Sequence, residues 1–342
     1  MNHDRRNGPL LLVAGGGGFI GGHLGAWLLS AGHRVRLVDR KPLADWYQRP
    51  AGAELIRADL STPDACRDAV EGVGTVFNLA ADMGGMGFIE THKAECMLSV
   101  LINTNLLQEA RRARVERYFF SSSACVYAAD KQMSTDLVAL RESDAYPAMP
   151  EDGYGWEKLF SERMCAHFTE DFGLATRIAR YHNVYGPHGT FRGGREKAPA
   201  AICRKVIEAV TSGHHVIDIW GDGEQTRSFM YVDDCVEGTL MLTNSNCTSP
   251  LNVGSSEMVS INGLVDIVEE IAGTRLRRHY NLDAPKGVRG RNSDNTKILE
   301  VLDWEPSISL RRGLEATYGW ISDMMGASTK SFSWPAATVQ FT

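Results

Sequence analysis

Short apolar runs alternate with longer stretches of helical spacing over the first half of the chain. Residues 10–14, 34–39, 54–57, 75–80, 117–121 and 176–179 read as strands. Between them, segments such as 23–31 and 98–114 carry apolar residues at helical intervals. Strand, helix and strand in repetition predict a parallel sheet with helices on both faces, because parallel strands need crossover connections. After about Arg180 the pattern loosens into Gly-rich and Pro-rich loops, with helices predicted near 198–212, 233–242 and 261–272. The expected architecture is α/β: a doubly wound parallel sheet over 1–180 and a smaller C-terminal α/β domain over 181–325, with some interchange of chain between them. Residues 326–342, short of charge and broken by Pro335, read as a flexible tail.

Composition narrows the function classes. A chain of 342 residues that is 43% hydrophobic has ample material for a sizeable core. Its formal net charge of -6 argues against electrostatic capture of nucleic acid or an anionic membrane, so any anion must be bound by a local pocket. The seven cysteines are odd in number, scattered and without a CxxC pair, which points to a reducing compartment and no structural metal. Arginines before the apolar residues 10–13 superficially copy a signal peptide, but the glycine cluster that follows favours a buried strand. No apolar run approaches the roughly 20 residues of a membrane span, and a cytoplasmic location is expected.

The glycine cluster is the first candidate for chemistry. Ala14-Gly15-Gly16-Gly17-Gly18-Phe19-Ile20-Gly21 is a GxxGxxG arrangement between the first strand and the first helix. Small residues let the backbone approach a pyrophosphate, and the N–H groups at the helix start attract it. A merely flexible loop is the plain alternative. Asp39 ends the second strand about 20 residues later, where a carboxylate binds ribose hydroxyls and repels a 2′-phosphate, favouring NAD over NADP. Arg40 and Lys41 beside it weaken that preference. Asp59-Leu60 ends the third strand, where an aspartate forms a turn or faces a ligand.

Tyr154-Gly155-Trp156-Glu157-Lys158 puts a phenol and an amine one helical turn apart on one face. A cation beside a phenol favours the phenolate, a usable base, although the same spacing also occurs in ordinary amphipathic helices. Upstream, Phe119-Phe120-Ser121-Ser122-Ser123-Ala124-Cys125-Val126-Tyr127 is a strand emptying into a serine-rich turn.

Taken together and in this order, the glycine loop, Asp39, the strand end Asn78-Leu79-Ala80-Ala81, the Ser123 turn and the Tyr154/Lys158 pair resemble the extended short-chain dehydrogenase/reductase family, over roughly 10–321. The resemblance implies a Rossmann domain holding NAD and a smaller nucleotide-sugar domain. It implies cofactor contacts at Gly15, Gly18, Phe19, Ile20, Gly21, Asp39, Asp59, Leu60, Ala80, Tyr154 and Lys158. Ser123, Tyr154 and Lys158 are then the dehydrogenation triad that oxidises a sugar at C4. Family members pair through the helix carrying the tyrosine, so a homodimer is expected.

Cys125 stands two positions before Tyr127, where relatives place groups near the sugar's C5. A thiol, ordinarily ionising near pH 8.5, is a plausible carbon base once a C4 ketone has acidified the adjoining C–H bonds. A small buried hydrophobe is the alternative. Inversion also needs an acid on the opposite face. Lys197, in Arg192-Gly193-Gly194-Arg195-Glu196-Lys197-Ala198-Pro199, is the candidate, against the usual reading of a loop lysine as solvated. This segment, with Ala81-Asp82-Met83-Gly84-Gly85-Met86-Gly87-Phe88-Ile89, Trp220-Gly221-Asp222-Gly223-Glu224-Gln225-Thr226-Arg227-Ser228-Phe229 and Gly287-Val288-Arg289-Gly290-Arg291-Asn292-Ser293-Asp294-Asn295, resembles the subgroup of the family that inverts GDP-mannose at C3 and C5. That resemblance implies substrate contacts at Met83, Gly84, Gly85, Ser123, Asn183, Glu196, Lys197, Lys205, Arg227, Arg289 and Arg291, with the arginines suited to phosphate. For Lys205 and the arginines, plain surface charge is the alternative. Ala128-Ala129-Asp130 departs from the subgroup's pattern. A 4-epimerase or 4,6-dehydratase of the family, or a non-catalytic dinucleotide sensor, are the competing readings.

Overall fold

In the computed structural model, which describes residues 8–135, 139–284 and 287–327, the run LLLVA forms β1 (Leu10–Ala14), buried at every position. It lies within a parallel sheet with β2 (Val35–Asp39), β3 (Glu54–Arg57), β4 (Val73–Asn78), β5 (Arg117–Ser123), β6 (Ala175–Tyr181) and the late strand Leu251–Val253. Among the described residues the strand order is Leu251–Val253, β6, β5, β4, β1, β2, β3. The chain thus winds one way from β1 and the other way from β4, which opens a crevice above the carboxyl ends of these two neighbours.

Period-two alternation along β1 explains why both faces must be covered. Leu11 and Val13 join Leu24, Leu28, Leu37, Phe77 and Phe119 in one core. Leu10, Leu12 and Ala14 join Val38, Val76, Leu106, Leu107, Tyr118 and Phe120 in another. At roughly 1.5–3 kcal/mol for each large side chain removed from water, both layers are needed to hold the sheet. The covering helices are α1 (Phe19–Ser30), α2 (Pro63–Val70), α3 (Met86–Thr91), α4 (Lys93–Leu98), α5 (Val100–Arg112) and α6 (Asp152–Phe172).

The later chain supplies α7 (Ala198–Ser212), α8 (Val232–Asn244), α9 (Ile261–Ala272), α10 (Thr296–Leu302) and α11 (Leu310–Met324). Small strand groups accompany them: Val216–Trp220 pairs with Arg277–Asn281, and Thr226–Ser228 lies between Met258–Ser260 and Gly290–Arg291. Among the described residues, no helix is long and apolar enough to cross a membrane.

Three boundaries differ from expectation for identifiable reasons. The first helix begins at Phe19 rather than near 23, because Gly21, Gly22 and Gly25 mask its periodicity. A Cβ at Gly25 would lie 2.6 Å from the Leu37 side chain, so these glycines serve close helix–sheet packing. Strand β4 ends at Asn78 rather than 80, where the Asn78 Oδ1 takes the Ala80 N–H (3.2 Å) and turns the chain outward. Leu251–Val253 follows Pro250 and is three residues long, too short to show a period. The expected tail lies, from residue 328 onward, outside the described residues.

Candidate active site

A cleft of about 840 Å³ opens above the carboxyl ends of β1 and β4. Its walls include Gly15, Gly18, Phe19, Ile20, Gly21, Asp39, Asp59, Leu60, Ala80, Met83, Gly84, Ser123, Tyr154, Lys158 and Lys197. Residues spread over almost 200 positions of sequence therefore meet around one space.

The glycine end is shaped by backbone. Gly15 adopts φ +83, and a Cβ at Gly21 would lie 2.2 Å from the Gly15 carbonyl oxygen. Helix α1 starts immediately beyond, capped by Gly18, which has no side chain to occupy the first N–H groups. Such a terminus favours an anion. Asp39 closes β2, with one carboxylate oxygen accepting the Lys41 N–H at 3.0 Å. The neighbouring cations are engaged elsewhere: Arg40 donates to Asp82 (2.7 Å), and the Lys41 amine donates to the Gly17 carbonyl (3.3 Å). Asp59 accepts the Ser61 N–H at 2.9 Å, and that bond holds its carboxyl below the usual carboxylate range. It is thus a turn-former on the cleft wall. A glycine-lined approach, a free helix terminus and a strand-end carboxylate fit the pyrophosphate and adenosine ribose of NAD.

At the other end of the cleft, β5 delivers Ser123, whose Oγ accepts the Cys125 N–H at 3.2 Å. Helix α6 carries Tyr154 and Lys158 on one buried face. The Lys158 amine is 5.5 Å from the Tyr154 ring centroid, 4.8 Å from that of Phe120 and 3.6 Å from the Glu157 carboxylate. Burial pushes the Tyr154 phenol well above its ordinary range; Cys125 and Glu157 add to this and the Ser123 hydroxyl opposes it. A phenolate here therefore needs nearby positive charge.

Lys197 is the N-cap residue of α7 and lines the cleft. Burial pulls its ammonium below the usual lysine range, while Cys125 works the other way. The positive end of the α7 dipole acts in the same sense as burial. The loop before it is fixed by its neighbours. Arg195 bonds Asp82 (2.7 Å) and lies over the Phe88 ring at 3.7 Å, Gly85 N–H donates to the Arg195 carbonyl (3.1 Å), and Glu196 accepts the Gly194 N–H (2.7 Å). Asp82 thereby joins Arg40 of the first half to Arg195 of the second.

Cys125, Gly85, Glu196 and the remaining expected residues are not among those that line the cleft. Asn183 donates to the Ser228 carbonyl at 3.0 Å, and the Lys205 amine donates to the Asp218 carbonyl at 2.7 Å near the Trp220 ring. Arg227 bonds the carbonyls of Thr226 and Val288, and burial pulls its guanidinium down to about 10. Arg289 faces both Asp222 carboxylate oxygens at 2.9 Å. Arg291 is buried: its Nη1 donates to the Cys125 sulfur at 3.6 Å, its Nε to Gln132 at 2.7 Å, and its third nitrogen pairs with Glu151. Sequence reasoning missed Glu151, Gln132 and Asp82. A single polar residue in a loop carries no periodic signal, and these three act through contacts with residues up to 159 positions away.

Known proteins share this arrangement. GDP-mannose 3,5-epimerase 1 of Oryza sativa subsp. japonica is 48% identical over 314 residues, which cover 92% of this chain and 82% of that protein. Among solved structures, UDP-glucose 4-epimerase with UDP-glucose from Thermotoga maritima superposes with a TM-score of 0.83 at 25% identity, covering 92% of this chain and 99% of its own. MoeE5 in complex with UDP-glucuronic acid and NAD gives a TM-score of 0.75 at 31% identity, with the same coverages. Residues 11–254 match the family described as the NAD dependent epimerase/dehydratase family. With that match over most of its length and a cleft built for a dinucleotide, the chain belongs to the NAD-dependent epimerase/dehydratase family of enzymes.

Proposed function

We propose that this enzyme inverts GDP-mannose at C3 and C5 through a transient 4-keto sugar, giving GDP-L-galactose, GDP-L-gulose or both. The observation that carries the reading is that Lys197 lines the same cleft as Ser123, Tyr154 and Lys158, while Cys125, whose N–H donates to the Ser123 hydroxyl, is buried in one cluster with Tyr154. The relatedness to the rice GDP-mannose 3,5-epimerase supports the choice of substrate.

Bound NAD supplies a hydride acceptor for C4 at the start of the cycle and a hydride donor at its end. The chain's own residues do the proton chemistry. Tyr154 takes the C4 hydroxyl proton, Ser123 orients that hydroxyl, and Lys158 provides the positive charge that the buried phenolate requires. With C4 a ketone, the C5 and C3 hydrogens become acidic. Cys125 removes the proton on one face and Lys197 delivers one on the other, first at C5 and then, once the thiol has lost its proton to solvent and the amine has regained one, at C3. Burial makes the Lys197 ammonium a stronger acid than a solvated lysine's, the direction a proton donor needs. The segment 82–88, tied to Arg195, covers the sugar and keeps water from the ketone. Asn183, Glu196, Lys205, Arg227 and Arg289 hold the nucleotide and sugar.

The same reading extends to assembly. Met97, Leu98 and Leu101 on α4 and α5 and Trp156 and Phe160 on α6 are exposed apolar side chains. A second copy of the chain covering them makes a homodimer. All seven cysteines are free, in keeping with a reducing cytoplasm. Incubation of the enzyme with GDP-mannose tests the activity: chromatography and mass spectrometry should yield an isomer of unchanged mass. A product lighter by one water would mean a dehydratase, and no conversion would overturn the choice of substrate.

A further inference from the structure

The Cys125 sulfur accepts a hydrogen bond from Arg291, on the strand Gly290–Arg291, at 3.6 Å, and Lys197 at the start of α7 and Arg227 on the strand Thr226–Ser228 interact with it electrostatically. From α6 it is faced by the Tyr154 phenol, and Cys96 of α4 lies in the same buried cluster. A guanidinium bonded to a sulfur favours the charged form of a thiol in general. A thiolate held too firmly is a weak base, because the strength with which it takes a proton falls as its stabilisation rises.

Beside the Arg291 guanidinium stands the half-buried carboxylate of Glu151. The Arg291 guanidinium is fixed in its plane by three different partners, Gln132 on Nε, the Cys125 sulfur on Nη1 and Glu151 on Nη2. Gln132 is itself fully buried, with its amide near the carbonyls of Tyr127 and Ala128 at 3.4 Å each. The segments carrying Glu151 and Cys125 are locked together as well. Glu151 N–H donates to the Cys125 carbonyl at 2.9 Å, and a Cβ at Gly155 would come within 2.3 Å of that same oxygen. The main-chain segments that carry the carboxylate and the sulfur are thereby held side by side.

We infer that Glu151, acting through Arg291, sets how strongly the Cys125 thiolate is held, and so allows one sulfur to take a proton from carbon and release it again. Glu151 is not among the residues that line the cleft; it is a positioning residue that withdraws part of the Arg291 charge from the sulfur. The inference rests on reading Cys125 as the carbon base, but its test reads the sulfur directly and needs no sugar.

The NAD-loaded enzyme is treated with iodoacetamide across a pH series, and alkylation of the Cys125 peptide is followed by mass spectrometry, which separates it from the six other cysteines. In Glu151→Gln the midpoint of alkylation moves to lower pH by about one unit, and the acid limb of the kcat/KM profile moves with it. Glu151→Asp, which keeps the charge but retracts it, gives a smaller shift in the same direction and carries the test should Glu151→Gln fail to fold. Arg291→Gln moves the midpoint upward. A midpoint unchanged or raised on neutralising Glu151, or unmoved on removing Arg291, overturns the inference; so does a lowered rate at every pH with the midpoint in place, the mark of a purely structural role. Shifted midpoints without any turnover of GDP-mannose would leave Glu151 in this role and overturn the substrate instead.

Discussion

At the residue scale, the chemistry depends on charges held out of water. The Tyr154 phenol is driven upward by burial, so its use as a base depends on the Lys158 amine one turn along α6. Lys158→Met should lower kcat by about 10²–10⁴-fold, measured at saturating GDP-mannose with cofactor content checked by absorbance. Lys197 behaves in the opposite sense. Its folded-state ammonium is less stable than a solvated lysine's, so it loses its proton at a pH below the ordinary 10.5. Because the amine must be protonated to deliver a proton to carbon, activity should be present on the acid side of that transition and fall as pH rises through it. A pH profile of kcat/KM whose alkaline limb is unchanged in Lys197→Arg would contradict this. That Tyr154 and Lys158 share one helix face was legible from spacing, while their proposed use rested on the family resemblance. Glu151 and Gln132 were not legible, because what they do depends on Arg291, which reaches them across more than 130 positions of sequence.

Individual elements repeat the same division between local and distant signals. Strands β1 and β3 and helices α7 and α9 fall where the apolar pattern predicts them, since each buries one regular stripe or run. Helix α1 was half hidden by the glycines that let it approach Leu37 and the Gly15 carbonyl. Those glycines predict a sharp steric response: Gly21→Ala drives a methyl to 2.2 Å from the Gly15 oxygen and must displace the turn. Purified Gly21→Ala protein should carry little or no NAD; full cofactor content would show that the turn is not the pyrophosphate site. Elsewhere, α6 and β6 are tied by the buried Arg180–Glu162 pair, with nitrogen–oxygen distances of 2.7 and 2.9 Å and a further bond from Ser122. Removing one partner strands the other charge, so Glu162→Ala should cost about 3–5 kcal/mol, read as a lower urea midpoint at unchanged slope.

On the scale of the whole molecule, the first half of the chain and the start of the second meet at the cleft and are joined there by Asp82. That residue links Arg40, at the end of β2, with Arg195, two positions before Lys197. The sheet itself is completed by Leu251–Val253, so the first half of the chain does not close its own edge. The alternating pattern of the first half foretold a parallel sheet, but a three-residue strand drawn from far along the chain leaves no such trace. Assembly makes its own prediction. Phe160→Glu places a charge in the exposed apolar face of α4, α5 and α6, and light scattering should then find a monomer where the unaltered protein is a dimer; a protein that is monomeric before the change would remove the homodimer from the account.

The claim that Cys125 and Lys197 act as a pair on carbons beside a C4 ketone is tested most directly by proton NMR of the NAD-loaded enzyme with GDP-mannose in deuterated water. Deuterium should enter C3 and C5 with the unaltered protein and neither position with Cys125→Ala or Lys197→Ala, both still holding NAD. Label that persists in either variant, or fails to enter from the start, would contradict the account.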